Sequence, residues 1–210
     1  MRSRITRYCG YGLMLAAALI STLARADMSP EDKLLSEVYP DGGTLLYCQN
    51  EFKPGDRIRV DRIYPERQMY TNFGCRNARL CRDPAYLRAA SDLHNLFPVS
   101  RSADIARRGT RFSEVPDSVT ADDCGYRVAF QNFMPSPGSR GQVARAMLYM
   151  HVHHELPLVG VLHMYQQWSN EEPPDAEERR RNNAIADTQG NRNPFIDNPD
   201  AVNNIIIDLF

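Results

Sequence analysis

The chain has 210 residues, with 25 basic and 26 acidic side chains and a formal net charge of −1. This balance excludes a globally basic nucleic-acid binder. Any contact with a polyanion must come from a local patch, because attraction between exposed charges is screened over a Debye length of roughly 8 Å.

The chain opens with Arg2, Arg4 and Arg7, a basic n-region, followed by an apolar stretch from Gly12 to Leu23. Ala24-Arg25-Ala26 offers an A-x-A cleavage site, so residues 1–26 are expected to be a signal peptide and the mature chain to begin at Asp27. The apolar stretch is too short to span a bilayer of about 30 Å, and no later segment is apolar enough to cross one. The expectation is a periplasmic or secreted protein with no membrane attachment once the signal is removed. Its mature part, residues 27–210, carries 21 basic and 26 acidic residues, a net charge of −5, and suits one domain with a real core.

Cys9 leaves with the signal, and Cys48, Cys75, Cys81 and Cys124 remain. An even number in an oxidising compartment implies disulfides, with three possible pairings. Cys75 and Cys81 flank a short polar loop, which favours Cys75–Cys81 with Cys48–Cys124. A zinc site is the rival reading, but its ligands usually come in C-x-x-C pairs, which neither pair here matches.

Residues 27–42 read as a partly helical lead-in. Residues 43–48 (GTLLYC) and 57–64 (RIRVDRIY) have strand character, the second alternating Ile58 and Val60 against Arg59, Asp61 and Ile63. Residues 72–82 form a loop clipped by two cysteines. Asp83-Pro84 starts a helix, Asp as N-cap and Pro at the first helical position. Tyr86, Leu87, Ala90, Leu93 and Phe97 recur at helical spacing, so this helix is expected to run until just before Pro98. Residues 113–139, rich in Pro, Ser, Asp and Gly, are expected to be mostly loop. Residues 140–155 make the clearest helix, with Val143, Ala144, Met147, Leu148 and His151 on one face. A second helix is expected over 158–168, with Val161, Leu162, Tyr165 and Trp168 inward. Pro173-Pro174 breaks it, and Asp175 with Glu178 resembles a capping box for a third helix to about Thr188. The tail is turn-rich and ends in an apolar run over 205–210. The fold class expected is α+β, a mostly helical single domain with a small sheet.

Four segments, in order, resemble the bacterial endonuclease I family. Asp92-Leu93-His94-Asn95-Leu96 matches its DLHNL motif. Arg140-Gly141, Ala144-Arg145 and Tyr149-Met150 match its RGxIAR…YM helix. Trp168, Arg181-Asn182 and Ile185 match the next stretch, and residues 189–195 (QGNRNPF) match its QGNxNPF signature. The resemblance implies a ββα-metal core and a periplasmic or secreted nuclease. Such an enzyme cleaves DNA, and often RNA, without sequence preference, using one magnesium ion (Mg2+).

The family's catalytic segment reads Glu or Asp, then His, two apolar residues and Pro; here it reads Asp61-Arg62-Ile63-Tyr64-Pro65. The resemblance therefore puts metal ligands at Asp61 and Asp104, the latter where the family has Asn, and a family arginine at Arg107. Arg62 replaces the general-base histidine, and a guanidinium keeps its proton at any physiological pH. His94 is then either a substitute base or a buried, hydrogen-bonded support of its motif. Arg59, Arg101, Arg108 and Arg111 crowd the same two segments as candidate phosphate contacts, since guanidinium forks bind phosphate bidentately. His151, His153 and His154 look like a metal cluster, but Glu155 is the one carboxylate near them in sequence, and they are read as surface or packing residues. Two functions follow: a metal-dependent nonspecific endonuclease, or a catalytically weakened or inactive relative that binds nucleic acid on the same fold.

Overall fold

In the computed structural model, which describes residues 28–206, the first helix is α1 (Pro30–Lys33). Ser29 caps it by accepting from the Asp32 N–H at 3.1 Å. It continues as a π-helical stretch, Leu34–Val38, that buries Leu34 and Val38. The signal sequence and the last four residues of the apolar tail lie outside the described residues.

Strand β1 (Gly43–Thr44) pairs antiparallel with β2 (Glu51–Phe52). The strand expected over residues 43–48 is thus cut to two residues. The chain turns instead, with the Gln49 N–H donating to the Leu45 carbonyl at 2.9 Å. Strand β3 (Arg59–Arg62) pairs antiparallel with β4 (Leu96–Val99), placing Asp61 opposite Phe97 and Arg62 opposite Leu96. Helix α4 (Arg101–Arg107) follows β4 at once, capped by Ser100, whose Oγ accepts from the Ala103 N–H at 3.2 Å. Together β3, β4 and α4 form one ββα unit.

Between β3 and β4 the chain folds α2 (Glu66–Asn72) and α3 (Pro84–Ser91). Asp83 caps α3 as expected, accepting from Ala85 and Tyr86 N–H groups. The helix does not reach Pro98. It stops at Ser91 because Asp92 takes an extended backbone and its carboxylate accepts from the His94 N–H at 2.9 Å. Leu93–Asn95 then forms a 3-10 turn, and Phe97 belongs to β4.

Residues 111–134 carry a second small sheet rather than loop alone: β5 (Arg111–Phe112), β6 (Arg127–Ala129) and β7 (Asn132–Met134). The central strand β7 runs parallel to β5 and antiparallel to β6. Its strands are two or three residues long, too short for alternation to show.

Helix α5 (Arg140–His153) is the central strut. Residues 143–150 are all buried, so it is covered on every side rather than along the one expected face. Helix α6 (Leu162–Glu171) packs on it with Tyr165 and Trp168 inward, while Val161 is exposed as the residue that opens the helix. The approach is close enough that a Cβ at Gly141 would sit 2.1 Å from the Glu172 carbonyl oxygen, which explains the glycine. In α7 (Ala176–Gln189) Asp175 accepts from the Glu178 N–H at 2.7 Å, half of the expected capping box. The other half is absent because the Glu178 carboxylate turns to Arg145. A short α8 (Pro194–Asp197) and a 3-10 turn, Pro199–Asn204, close the chain over the main core.

Cys48 is joined to Cys124 and Cys75 to Cys81, the expected pairs. The fold is a mostly helical α+β domain, as expected. Among the described residues no helix is long and apolar enough to cross a membrane.

Candidate active cleft

A cleft of about 670 Å³ runs along the ββα unit. Strand β3 contributes Asp61 and Arg62, the start of α2 contributes Glu66 and Arg67, and α4 contributes Asp104, Arg107 and Arg108. Gly109, Thr110 and Arg111 close one side. The fold therefore brings together both expected metal ligands, the two arginines expected to be catalytic, and two of the four expected phosphate contacts.

Asp61 is the most constrained of these. Its Oδ2 accepts from the Tyr47 hydroxyl at 2.8 Å and its Oδ1 from the Arg62 N–H at 2.8 Å. Arg107 Nε stands 3.8 Å from Oδ2. Burial pushes the Asp61 carboxyl above its ordinary value, and the nearby Asp104 adds to this, against the opposing pull of Arg107, Tyr47 and the backbone. Two carboxylates, one on β3 and one on α4, line this cleft. Both offer hard oxygen donors, and magnesium is held by one or two carboxylates with waters completing its shell. The residues present fit such an ion.

Asp104 also holds Arg108 at 2.6 Å. Arg107 is buried, with its Nη1 donating to the Thr110 carbonyl at 2.5 Å and its guanidinium 4.0 Å above the Phe112 ring. Its Nε is buried without a hydrogen-bond partner among the described residues, beside the Asp61 carboxylate. Arg62 is committed elsewhere. Its Nη1 donates to the Ala90 carbonyl at 2.7 Å and its Nη2 to Glu31 at 2.5 Å, leaving Nε 3.8 Å from Glu66. On the rim, Arg67, Arg108 and Arg111 are exposed.

Three expected residues fall outside the cleft lining. Arg59 and Arg101 are exposed but do not line it. His94 is 1% exposed, with Nε2 3.3 Å from the Asn191 carbonyl and its ring against Tyr149. The turn capped by Asp92 carries it into the core, so the substitute-base reading of His94 is corrected to that of a motif support. Burial, then the Arg181 charge, pushes its pKa down to about 4, consistent with a neutral buried ring. Two residues in or behind the cleft escaped sequence reasoning. Tyr47, in a segment read as strand, gave no chemical signal; Glu66, directly after the motif proline, was there to be counted.

A strand pair feeding a helix, with one carboxylate from the strand and one from the helix facing an arginine-rimmed cleft, defines a ββα unit suited to a cation and a polyanion. Residues 48–200 match the family model for Endonuclease I, and the chain belongs to that family. It is 36% identical over 115 residues to an extracellular deoxyribonuclease of Aeromonas hydrophila, covering 52% of this chain and 50% of the relative. A periplasmic deoxyribonuclease of the same organism is 37% identical over 111 residues, 50% and 47% of the two chains. An extracellular ribonuclease of Bacillus amyloliquefaciens is 31% identical over 133 residues, 52% and 44%. The chain spans about half the length of the curated relatives it matches.

Proposed function

We propose that the protein is an exported, metal-dependent nuclease that hydrolyses phosphodiester bonds of DNA, and of RNA, without sequence preference. The observation that carries this reading is the cleft itself, where Asp61, Asp104 and Arg107 meet on one ββα unit under a rim of exposed arginines. The relatives named deoxyribonucleases and ribonucleases support it, as do two disulfides for export.

Asp61 and Asp104 would hold one Mg2+. When bound, such an ion neutralises charge developing on the phosphate and leaving oxygen. Tyr47 and the Arg62 N–H orient the Asp61 carboxylate, and Arg107 sets a fixed positive charge beside it. Arg67, Arg108 and Arg111 position the backbone of the nucleic acid. Arg62 cannot take a proton from water, and among the described residues no histidine lines the cleft. Glu66, a cleft carboxylate 3.8 Å from Arg62 Nε and not one of the two metal ligands, is the group we assign to accept the proton. The second reading, a weakened or inactive nucleic-acid binder, is favoured by Arg62 alone.

Plasmid digestion by the chain from Asp27 onward, with intact disulfides, separates the two. The nuclease reading expects cleavage with Mg2+, none with EDTA, and loss in Asp61→Ala and Asp104→Ala. Glu66→Gln should lower kcat by roughly 10²–10⁴-fold with little change in DNA affinity. No cleavage with retained DNA binding would establish the second reading.

A further inference from the structure

The end of α5 and the segment after α3 meet far apart in sequence, and their meeting places three side chains that the cleft does not use. Asp92, His153 and His154 each offer a ligand atom, and these atoms lie within 4.8 Å of one another. None of the three lines the cleft. By sequence alone these adjacent histidines have only Glu155 beside them; the fold brings in Asp92, 62 residues upstream of His154.

We propose that Asp92, His153 and His154 form a second metal site, distinct from the cleft, for a borderline divalent transition ion of the zinc class. The donor set is two imidazoles and one carboxylate, which such ions take at about 2.0–2.2 Å and which magnesium does not select. His154 Nε2 already stands 2.8 Å from Asp92 Oδ2, close to the roughly 3.3 Å separation of neighbouring ligands in a tetrahedral shell with such bonds. His153 is exposed, which opens the group to an ion from solvent.

The surroundings of the carboxylate are those of a held ligand. Asp92 is buried, and its Oδ1 accepts from the His94 N–H at 2.9 Å and from Gln189 Nε2 at 2.8 Å. Its Oδ2 accepts from the Tyr149 hydroxyl at 2.7 Å. Outer hydrogen bonds of this kind fix a ligating oxygen in place. Tyr149 also stacks on the His153 ring at 4.9 Å, limiting where that imidazole can go. His151 is not part of the site, since its Nδ1 faces the Leu156 carbonyl at 2.6 Å. Both imidazoles sit at the C-terminus of α5, where the helix dipole favours a cation. Three protein ligands leave a fourth position to water. An ion there would clamp the turn before β4 to the end of the central helix, and so would act on stability.

The test is Zn2+ titration by calorimetry on EDTA-stripped, desalted protein from Asp27 onward, with thermal unfolding in parallel. One equivalent should bind to the wild type and to an Asp61→Asn, Asp104→Asn variant alike. His153→Ala and His154→Ala should each weaken binding at least tenfold, and His151→Ala should not. At a hundredfold excess over Kd the unfolding midpoint should rise by about 5–10 °C. Because His153 is exposed, its variant tests the site without endangering the fold. Absence of Zn2+ uptake by the wild type would overturn the proposal, as would uptake unchanged in the His153→Ala, His154→Ala double variant. Neither outcome depends on whether the cleft cleaves nucleic acid.

Discussion

Arg62 shows that what a side chain cannot do is legible in sequence while the partners it holds are not. Sequence reasoning establishes that a guanidinium in the histidine position cannot act as a base. It does not reveal that the guanidinium is spent on Ala90 and Glu31, because both partners are brought in by the fold. Arg62 thus pins the first helix to the wall of the cleft and has little left for phosphate. Replacing it with histidine removes that pin and restores an imidazole beside Asp61. Cleavage by Arg62→His at neutral pH should rise by part of the roughly 10²–10⁴-fold that a positioned base contributes. It should also gain a pH dependence near the ordinary histidine value of about 6.5. Glu31→Gln is the control: it loosens the same pin without adding a base and should not speed cleavage. If Arg62→His instead lowers the rate to the level of Glu31→Gln, the pin matters more than the added base. Asp61 and Asp104 were legible from the motif and its spacing, and the fold does place them in one cleft. For His94 the sequence left two readings open, a substitute base and a buried support of the motif, and the capped turn at Asp92 turns its ring inward.

Elements with strong end signals were readable from sequence, and those without were not. Asp83-Pro84 and Asp175 mark the starts of α3 and α7 within a residue, because a capping side chain and a proline act locally. The end of α3 was misplaced because Leu93 and Phe97 continue a helical spacing that a turn and a strand happen to share. The two-residue strands leave no periodicity to find. The partner of Glu178 was equally hidden. Capping-box logic sends its carboxylate back to the helix start, whereas it accepts two hydrogen bonds from Arg145, at 2.8 and 2.5 Å, with both side chains almost fully buried. Breaking such a pair leaves a buried charge uncompensated, so Glu178→Gln should destabilise by about 3–5 kcal/mol in denaturant unfolding. A loss below about 1 kcal/mol would mean that water reaches Arg145. The turn carrying His94 makes a second claim at this scale. Its folded-state pKa, about 4, lies below the unfolded value of about 6.5, so the unfolded chain binds the extra proton between these limits. Stability in EDTA should fall by roughly 3 kcal/mol as pH drops from 6.5 to 4, then level off with respect to this group. His94→Gln, measured at the same pH values, should flatten that part of the profile.

For the molecule as a whole, the net charge of residues 27–210 and the proposed substrate have the same sign, and the cleft must overcome that. Its rim supplies three exposed cations, Arg67, Arg108 and Arg111, while Arg62 and Arg107 are bound to protein partners. Arg108 is shared with Asp104 at 2.6 Å, so a phosphate must compete for it. Each phosphate neutralised releases condensed counterions, and for duplex DNA the slope of log K against log salt is about −0.9 per contact. Three contacts imply a slope of about −2.7, and partial loss of Arg108 to Asp104 brings it toward about −1.8. Binding should be measured on Asp61→Asn in EDTA, so that cleavage does not intervene, across a salt series by fluorescence anisotropy. Arg111→Ala should make the slope shallower by about 0.9 and weaken binding equally for unrelated sequences, as expected of a contact to phosphate and not to bases. Arg101→Ala is the internal control, because Arg101 is exposed, like the rim arginines, but lies outside the cleft lining. If Arg101→Ala and Arg111→Ala shift the slope equally, the attraction is spread over the surface and the cleft is not where the backbone lies. A slope near zero in the parent variant would remove the polyanion from the reading, since phosphate contacts release counterions wherever on the surface they are made.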